Sequence, residues 1–238
     1  MPDTTLRTPA GEVGAYLALP AGTGARPGVV VIHELLGVNA DIRAHADRFA
    51  ARGYVALAPD LFSLRRPKAA CVLAVFRALI QRSGPAFAAI EAARAALVAR
   101  SDATGRVGVI GFCMGGAFAL LAAPGGGFAA SSVNYAVVPK DAADLLRGAC
   151  PVVGTYGGKD PTLRGAAAKL DAALAANGIE RDVKEYPEAS HSLLNEHRGR
   201  GLELFDRVTG YGRHEPSAHD ALRRIDAFFD RHVAQRAG

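Results

Sequence analysis

The chain is poor in cysteine, has no long apolar run and carries no extended basic tract, and each shortage excludes a class of protein. Three cysteines in 238 residues cannot make a complete disulfide set, and their spacing fits no metal-ligand pattern. The longest apolar stretches fall short of the ~18–20 residues that a membrane-spanning helix requires. Met1-Pro2-Asp3-Thr4-Thr5 offers neither the basic region nor the apolar core of a secretory signal. A reduced, cytoplasmic protein without a membrane partner is the expectation. The net charge of +5 and pI near 9.3 raise nucleic acid as a partner. The basic residues, nearly all arginine, are however interspersed with acids, as in Asp41, Arg43, Asp47 and Arg48, or Glu91 and Arg94. Only short clusters occur, such as Arg65-Arg66 and Arg198-Gly199-Arg200, and there is no basic run interleaved with aromatics. These charges read as a solvated surface, with no nucleic-acid partner.

What the chain does hold is organised around Arg106 to Leu120. Apolar β-branched residues run up to Gly111, Phe112 and a thiol at Cys113 follow, and Met114-Gly115-Gly116-Ala117 opens a helical pattern. This is a G-x-nucleophile-x-G elbow with cysteine at its apex. A strand turning at once into a helix holds the apex residue in a strained conformation, and side chains at Gly111 and Gly115 would collide with the returning helix. The apex then lies at a helix N-terminus, where the dipole and free N–H groups favour an anion.

The rest alternates strand and helix. Glu12 to Pro20 reads as an edge strand and Pro27 to Ile32 as a strand buried on both faces. Asn39 reads as the N-cap of a helix with Ile42, Ala46, Phe49 and Ala50 on its apolar side. Tyr54–Ala58 is a further buried strand, with helical patterns over 69–82 and 85–100. Strands follow at Ala129–Tyr135, Pro151–Tyr156 and Asp182–Tyr186, with a helix over Leu163–Ala176. Ser217–Val233 is a last helix, opened by Ser217 and Asp220 placed as a capping box. Residues 197–216 lack periodicity and read as a loop over the site. With no repeat or linker, residues 1–238 are expected to form one α/β domain, a mainly parallel twisted sheet with helices on both faces.

In such sheets ligands bind beyond the carboxyl ends of the strands, where Glu34, Cys113, Asp160 and His191 are expected. The order nucleophile, acid, histidine is that of α/β-hydrolases. Histidine exchanges a proton near neutral pH, and a buried aspartate fixes its tautomer. Glu34 taken alone reads equally well as a helix N-terminal acid held by the dipole. His33 beside it reads as a neutral structural histidine rather than a pocket residue, and His33-Glu34-Leu35-Leu36-Gly37 lacks the second histidine of a zinc protease. Cys71 and Cys150 read as packed thiols. Tyr135, Tyr156 and Tyr186 close strands and read evenly as pocket lining or packing.

On Val31–Asn39, Gly53–Leu61, Gly111–Gly116, Gly157–Pro161 and His191-Ser192, the chain resembles the dienelactone hydrolase family, the cysteine branch of the α/β-hydrolases. The resemblance implies Cys113 as nucleophile, His191 as general base and acid, and Asp160 as the orienting carboxylate. Glu34 would hold or activate the thiol, and the backbone N–H groups of Leu35 and Met114 would form the oxyanion hole. No cofactor or metal is implied. Family members bind a substrate carboxylate through arginines, one of them four positions after the catalytic histidine. Here that position is Asn195; Arg77 or Arg82 is a candidate for another such arginine, and Arg198 or Arg200 for a substitute. The expected activity is hydrolysis of small carboxylic esters or lactones through a thioester, with true dienelactone disfavoured. A glutamine amidotransferase is opposed by Leu193, which stands where its acid would be. A non-catalytic binding protein on the same scaffold is the remaining alternative.

Overall fold

A computed structural model of the chain describes residues 4–63, 68–197 and 211–235. Eight strands form one sheet: β1 (Thr4–Thr8), β2 (Gly11–Ala18), β3 (Arg26–Ile32), β4 (Val55–Pro59), β5 (Ala103–Phe112), β6 (Ala130–Asn134), β7 (Val152–Gly157) and β8 (Arg181–Tyr186). Their order is β1-β2-β4-β3-β5-β6-β7-β8, antiparallel as far as the β2–β4 pair and parallel from β4 to β8. The described helices are α1 (Ala40–Ala51), α2 (Lys68–Gln81), α3 (Pro85–Val98), α4 (Met114–Ala122), α5 (Ala142–Leu145), α6 (Ala166–Ala176) and α7 (Glu215–Phe229), the last running into a π turn, Asp230–Ala234. None is long and apolar enough to cross a membrane.

The fully apolar run of β3 is explained by its position in the middle of the sheet. Val29 and Val31 join Ile42, Ala46 and Phe49 of α1 and Ile225, Phe228 and Phe229 of α7 on one side. Val30 and Ile32 point the other way, into a second cluster with Ala89, Ile90, Ala93 and Leu97 of α3. Two-residue alternation therefore buries both faces of the strand, and helices must cover both. The sheet order reverses between β3 and β5, so the ends of these two neighbouring strands open the crevice where α/β folds bind ligands.

Four details differ from the sequence reading. β2 is not an edge strand: β1 pairs with it antiparallel and takes the edge, burying only Leu6 in its five residues. One buried side chain is too weak a pattern to read. The helix expected from Leu163 begins at Ala166, after Gly165 in the left-handed conformation. The last helix opens at Glu215 with Pro216 in its first turn, so Ser217 is inside it and bonds His214 Nδ1 at 2.8 Å instead of capping. Asp41 and Arg48 are not solvated: Asp41 is buried, and Arg48, largely buried, pairs with Asp226 of α7. Residues 198–210, most of the aperiodic loop, and with them Arg198 and Arg200, lie outside the described residues, as do Arg65 and Arg66.

Candidate active site

Cys113 stands between the last residue of β5 and the first of α4, with φ 53° and ψ −115°. That is a strained backbone for any residue with a Cβ, and it turns the thiol out of the sheet into a cavity. The strain is held by close backbone packing. A Cβ on Gly111 would lie 1.9 Å from the Gly115 carbonyl oxygen, a clash with the returning helix as expected. Gly115 is required by a different neighbour: its Cβ would fall 2.3 Å from the carbonyl oxygen of Ile32 at the end of β3. The Cys113 N–H donates to the Asn134 carbonyl at 3.0 Å, and Asn134 Nδ2 donates back to the Gly111 carbonyl at 3.0 Å. Asn134 therefore ties the elbow to β6, a role that no local signal in the sequence announces.

The ends of β7 and β8 bring two further residues to this point. Asp160, 1% exposed, places Oδ2 2.5 Å from His191 Nδ1. Its other oxygen accepts from the Thr162 N–H at 2.9 Å and the Thr162 hydroxyl at 2.6 Å. Burial alone would raise the Asp160 carboxyl, but the bonds from His191 and Thr162 outweigh it and lower its pKa. Burial likewise pulls His191 down; hydrogen bonds to Asp160 and to Cys113, with the charges of both, reverse this and raise it to about 9. Since Nδ1 is taken by Asp160, it is Nε2 that faces the sulfur.

Glu34 follows β3 and is buried, 4% exposed. Its Oε2 accepts from Asn195 Nδ2 at 2.8 Å, and Oε1 pairs with His197 Nε2 at 3.1 Å. Asn195 is wholly buried, and its Oδ1 accepts from His45 Nε2 at 3.0 Å. Burial, then the nearby Arg48 charge, lowers His45 to about 3, so it is a neutral imidazole, stacked 4.2 Å from the Phe112 ring. Asp41 completes the arrangement by accepting the backbone N–H groups of Glu196 and His197 at 3.1 and 2.9 Å. None of Asn195, His45, His197 and Asp41 had been singled out from sequence for this network.

His33 is a neutral, structural histidine with a positioning consequence. Nδ1 faces the Glu34 carbonyl oxygen at 2.7 Å and Nε2 the Leu61 N–H at 3.0 Å. A carbonyl only accepts and an amide only donates, so the proton is on Nδ1. The Glu34 carbonyl, held also by the Gly37 N–H at 3.1 Å, belongs to the peptide unit that carries the Leu35 N–H. In a trans peptide the two point opposite ways, so fixing the oxygen fixes the direction of that N–H. Met114 opens α4, and its N–H has no acceptor within the helix. Leu35, Met114, Cys113 and His191 all line one cavity of about 530 Å³.

The model of the dienelactone hydrolase family matches residues 13–233. The chain belongs to the dienelactone hydrolase family. Among relatives in this family, the carboxymethylenebutenolidase of Rhodococcus opacus is 28% identical over 243 residues, spanning 95% of this chain and 90% of that protein. A Methylorubrum extorquens protein with a provisional carboxymethylenebutenolidase name is 31% identical over 206 residues, covering 79% and 70% of the two chains. In fold, a dienelactone hydrolase-like promiscuous phosphotriesterase from metagenomic libraries superposes with a TM-score of 0.77 at 22% identity, covering 97% of this chain and 98% of that one. The family is one of carboxylic ester hydrolases on an α/β-hydrolase fold.

Asn195, four positions after His191, where the resemblance led to the expectation of an arginine site, faces Glu34 and His45. Tyr135 lines the cavity with its ring edge-on to His191, 5.3 Å between centroids. Burial, then the Glu34 and Cys113 charges, pushes its phenol well above the usual range. Tyr156 is packed in the core, and Tyr186 bonds Asp220 and Arg224 at the sheet edge. Cys71 and Cys150 pack against apolar neighbours.

Proposed function

We propose that this dienelactone hydrolase relative cleaves small carboxylic esters or lactones through a thioester on Cys113, with His191 and Asp160 completing the catalytic group. The observation that carries the reading is geometric: Cys113 at the strained elbow apex and His191, held by Asp160, line one cavity. The imidazole takes the proton of the thiol beside it, and the thiolate so formed is the nucleophile. It adds to the substrate carbonyl carbon, and the oxyanion takes the N–H groups of Leu35 and Met114. The C–O bond breaks as Nε2 gives its proton to the departing alkoxide. With the sulfur acylated its charge is gone, so two of the interactions that raised His191 vanish and burial lowers the imidazole again. Neutral His191 takes a proton from water, the hydroxide adds to the thioester, and thiolate leaves as the acid forms.

Glu34, next in the chain to the Leu35 donor, is assigned the part of holding the thiol before substrate arrives. Its anchoring by Asn195 and His197 supports a fixed carboxyl group there. Because thiolate leaves more readily than alkoxide, the tetrahedral adduct reverts unless the alcohol portion is a good leaving group. Aryl esters, enol lactones and thioesters are the substrates this favours. A reduced, cytoplasmic setting suits a free nucleophilic thiol.

Intact mass after brief incubation with p-nitrophenyl acetate tests the nucleophile. Wild type gains one acetyl group or releases p-nitrophenol steadily, and Cys113→Ala does neither; equal release by both proteins overturns the assignment. The proton on His191 makes a second prediction. Activity requires the imidazolium, so kcat/KM falls as pH rises through about 9. A rate that instead climbs through that region would show that no protonated imidazole is needed and overturn the acid role of His191.

A further inference from the structure

The walls of the cavity beyond the reacting atoms are apolar. Phe76, Leu79 and Ile80 come from α2, Ala117 and Leu121 from α4, and Val137 from the segment after β6. Its rim keeps large apolar side chains in water: Ile80 is 83% exposed, Val137 66% and Leu35 48%. Such exposure of several neighbouring apolar side chains around one opening marks a surface that an apolar ligand covers.

Among the described lining residues, Arg82 is the one permanently charged group. It follows the last turn of α2 in the left-handed conformation, φ 53°. Its Nη2 lies 2.7 Å from Oδ1 of Asp141, contributed by the segment entering α5 on the other side of the opening. Asp141 makes no side-chain cap to its own helix; its carboxylate accepts from the guanidinium and from its own backbone N–H, with the Lys169 charge also acting on it. Asp141 thus offsets the charge of this cation through one guanidinium nitrogen, in a pair that is itself part-exposed. A second anion would meet Asp141 as a like charge. The other position from which a guanidinium was expected holds the buried Asn195.

Resting on the hydrolase reading, we propose that the site selects esters with uncharged, apolar acyl groups and discriminates against acyl groups ending in a carboxylate, with the Arg82–Asp141 pair as the discriminating element. Catalytic efficiency should then rise with acyl length from acetate to hexanoate, by about two- to fourfold for each methylene buried. A terminal carboxylate must shed water among the apolar walls, which is unfavourable, and at the guanidinium it meets the like charge of Asp141.

The experiment compares p-nitrophenyl hexanoate with the mono-p-nitrophenyl half-ester of adipic acid, which has the same carbon count and a terminal carboxylate. The ratio of the two kcat/KM values is measured in wild type, Asp141→Asn, and the double variant Asp141→Asn with Arg82→Met. Wild type is expected to prefer hexanoate about 100-fold. Asp141→Asn should improve the half-ester relative to hexanoate about tenfold by freeing the guanidinium, and the double variant should lose that gain. Being a ratio within each protein, the readout is insensitive to how much of the variant is folded. A wild type that accepts both esters equally, or a ratio unmoved by Asp141→Asn, overturns the inference while leaving the hydrolase reading intact. Failure of the wild type to turn over or be acylated by either ester overturns the hydrolase reading and the specificity with it.

Discussion

Asp160→Asn is expected to lower kcat for p-nitrophenyl butyrate by about three to four orders of magnitude, the scale on which a triad loses activity when its histidine is held in the wrong tautomer. Both oxygens of Asp160 act as acceptors, one for His191 Nδ1–H at 2.5 Å and one for the N–H and hydroxyl of Thr162. An amide has only one oxygen. If its NH2 faces Thr162, the Thr162 amide N–H loses its acceptor; if it faces His191, Nδ1 must become an acceptor and Nε2 carries the remaining proton. In that second state no lone pair is left on Nε2 to take a proton from water. Loss of the carboxylate charge also removes part of what holds the imidazolium, so the alkaline fall in kcat/KM moves below about 9. Rate and pH profile together separate this from misfolding, which lowers the amount of active enzyme without moving the limb. Activity within tenfold of wild type would mean that His191 is oriented by something other than Asp160.

The parts of this site that could be read from the chain are those whose cause is local. The elbow is legible because Gly111 answers to a close approach within one strand–turn–helix unit with Cys113 at its apex, whereas the carbonyl that excludes a side chain from Gly115 belongs to β3, outside that unit. The acid turn is equally local, since Asp160-Pro161-Thr162 folds its side chain onto its own next backbone donor. The remaining features are long-range pairs of ordinary polar residues. Asp41 meets its partners 155 and 156 residues on, and Glu34 meets Asn195 across 161. Asn195 carries no motif, and Asp41 sits in a stretch whose mixed charges look solvated. Arg82 and Asp141 are 59 residues apart and acquire meaning only because α2 and the segment before α5 flank the same opening. Sequence periodicity reports which side of an element is apolar, and it is silent on which buried polar atoms face each other.

That long-range network supports the second large effect, on stability. Replacing Asn195 by leucine keeps the side-chain size and removes both of its hydrogen bonds. Glu34 Oε2 loses its 2.8 Å donor, and His45 Nε2–H loses its 3.0 Å acceptor, with no solvent at Asn195 to replace either. Two buried polar groups stranded at once cost about 2–4 kcal/mol. The urea midpoint should fall accordingly with the slope of the transition unchanged. Asn195→Asp has a different signature. It sets a second carboxyl against Glu34, so one of the two is driven to stay protonated in the folded protein. A carboxyl with a raised folded-state pKa weakens the fold above that pKa, and the loss is recovered as pH falls through it. Both variants should therefore regain some stability relative to wild type on acidification, Asn195→Asp the more, since Asn195→Leu only removes a donor from Glu34 whereas the aspartate adds a second carboxyl. A leucine variant with the wild-type midpoint would show that Asn195 contributes nothing to holding Glu34. An aspartate variant whose deficit is independent of pH would show that the two carboxyl groups do not meet.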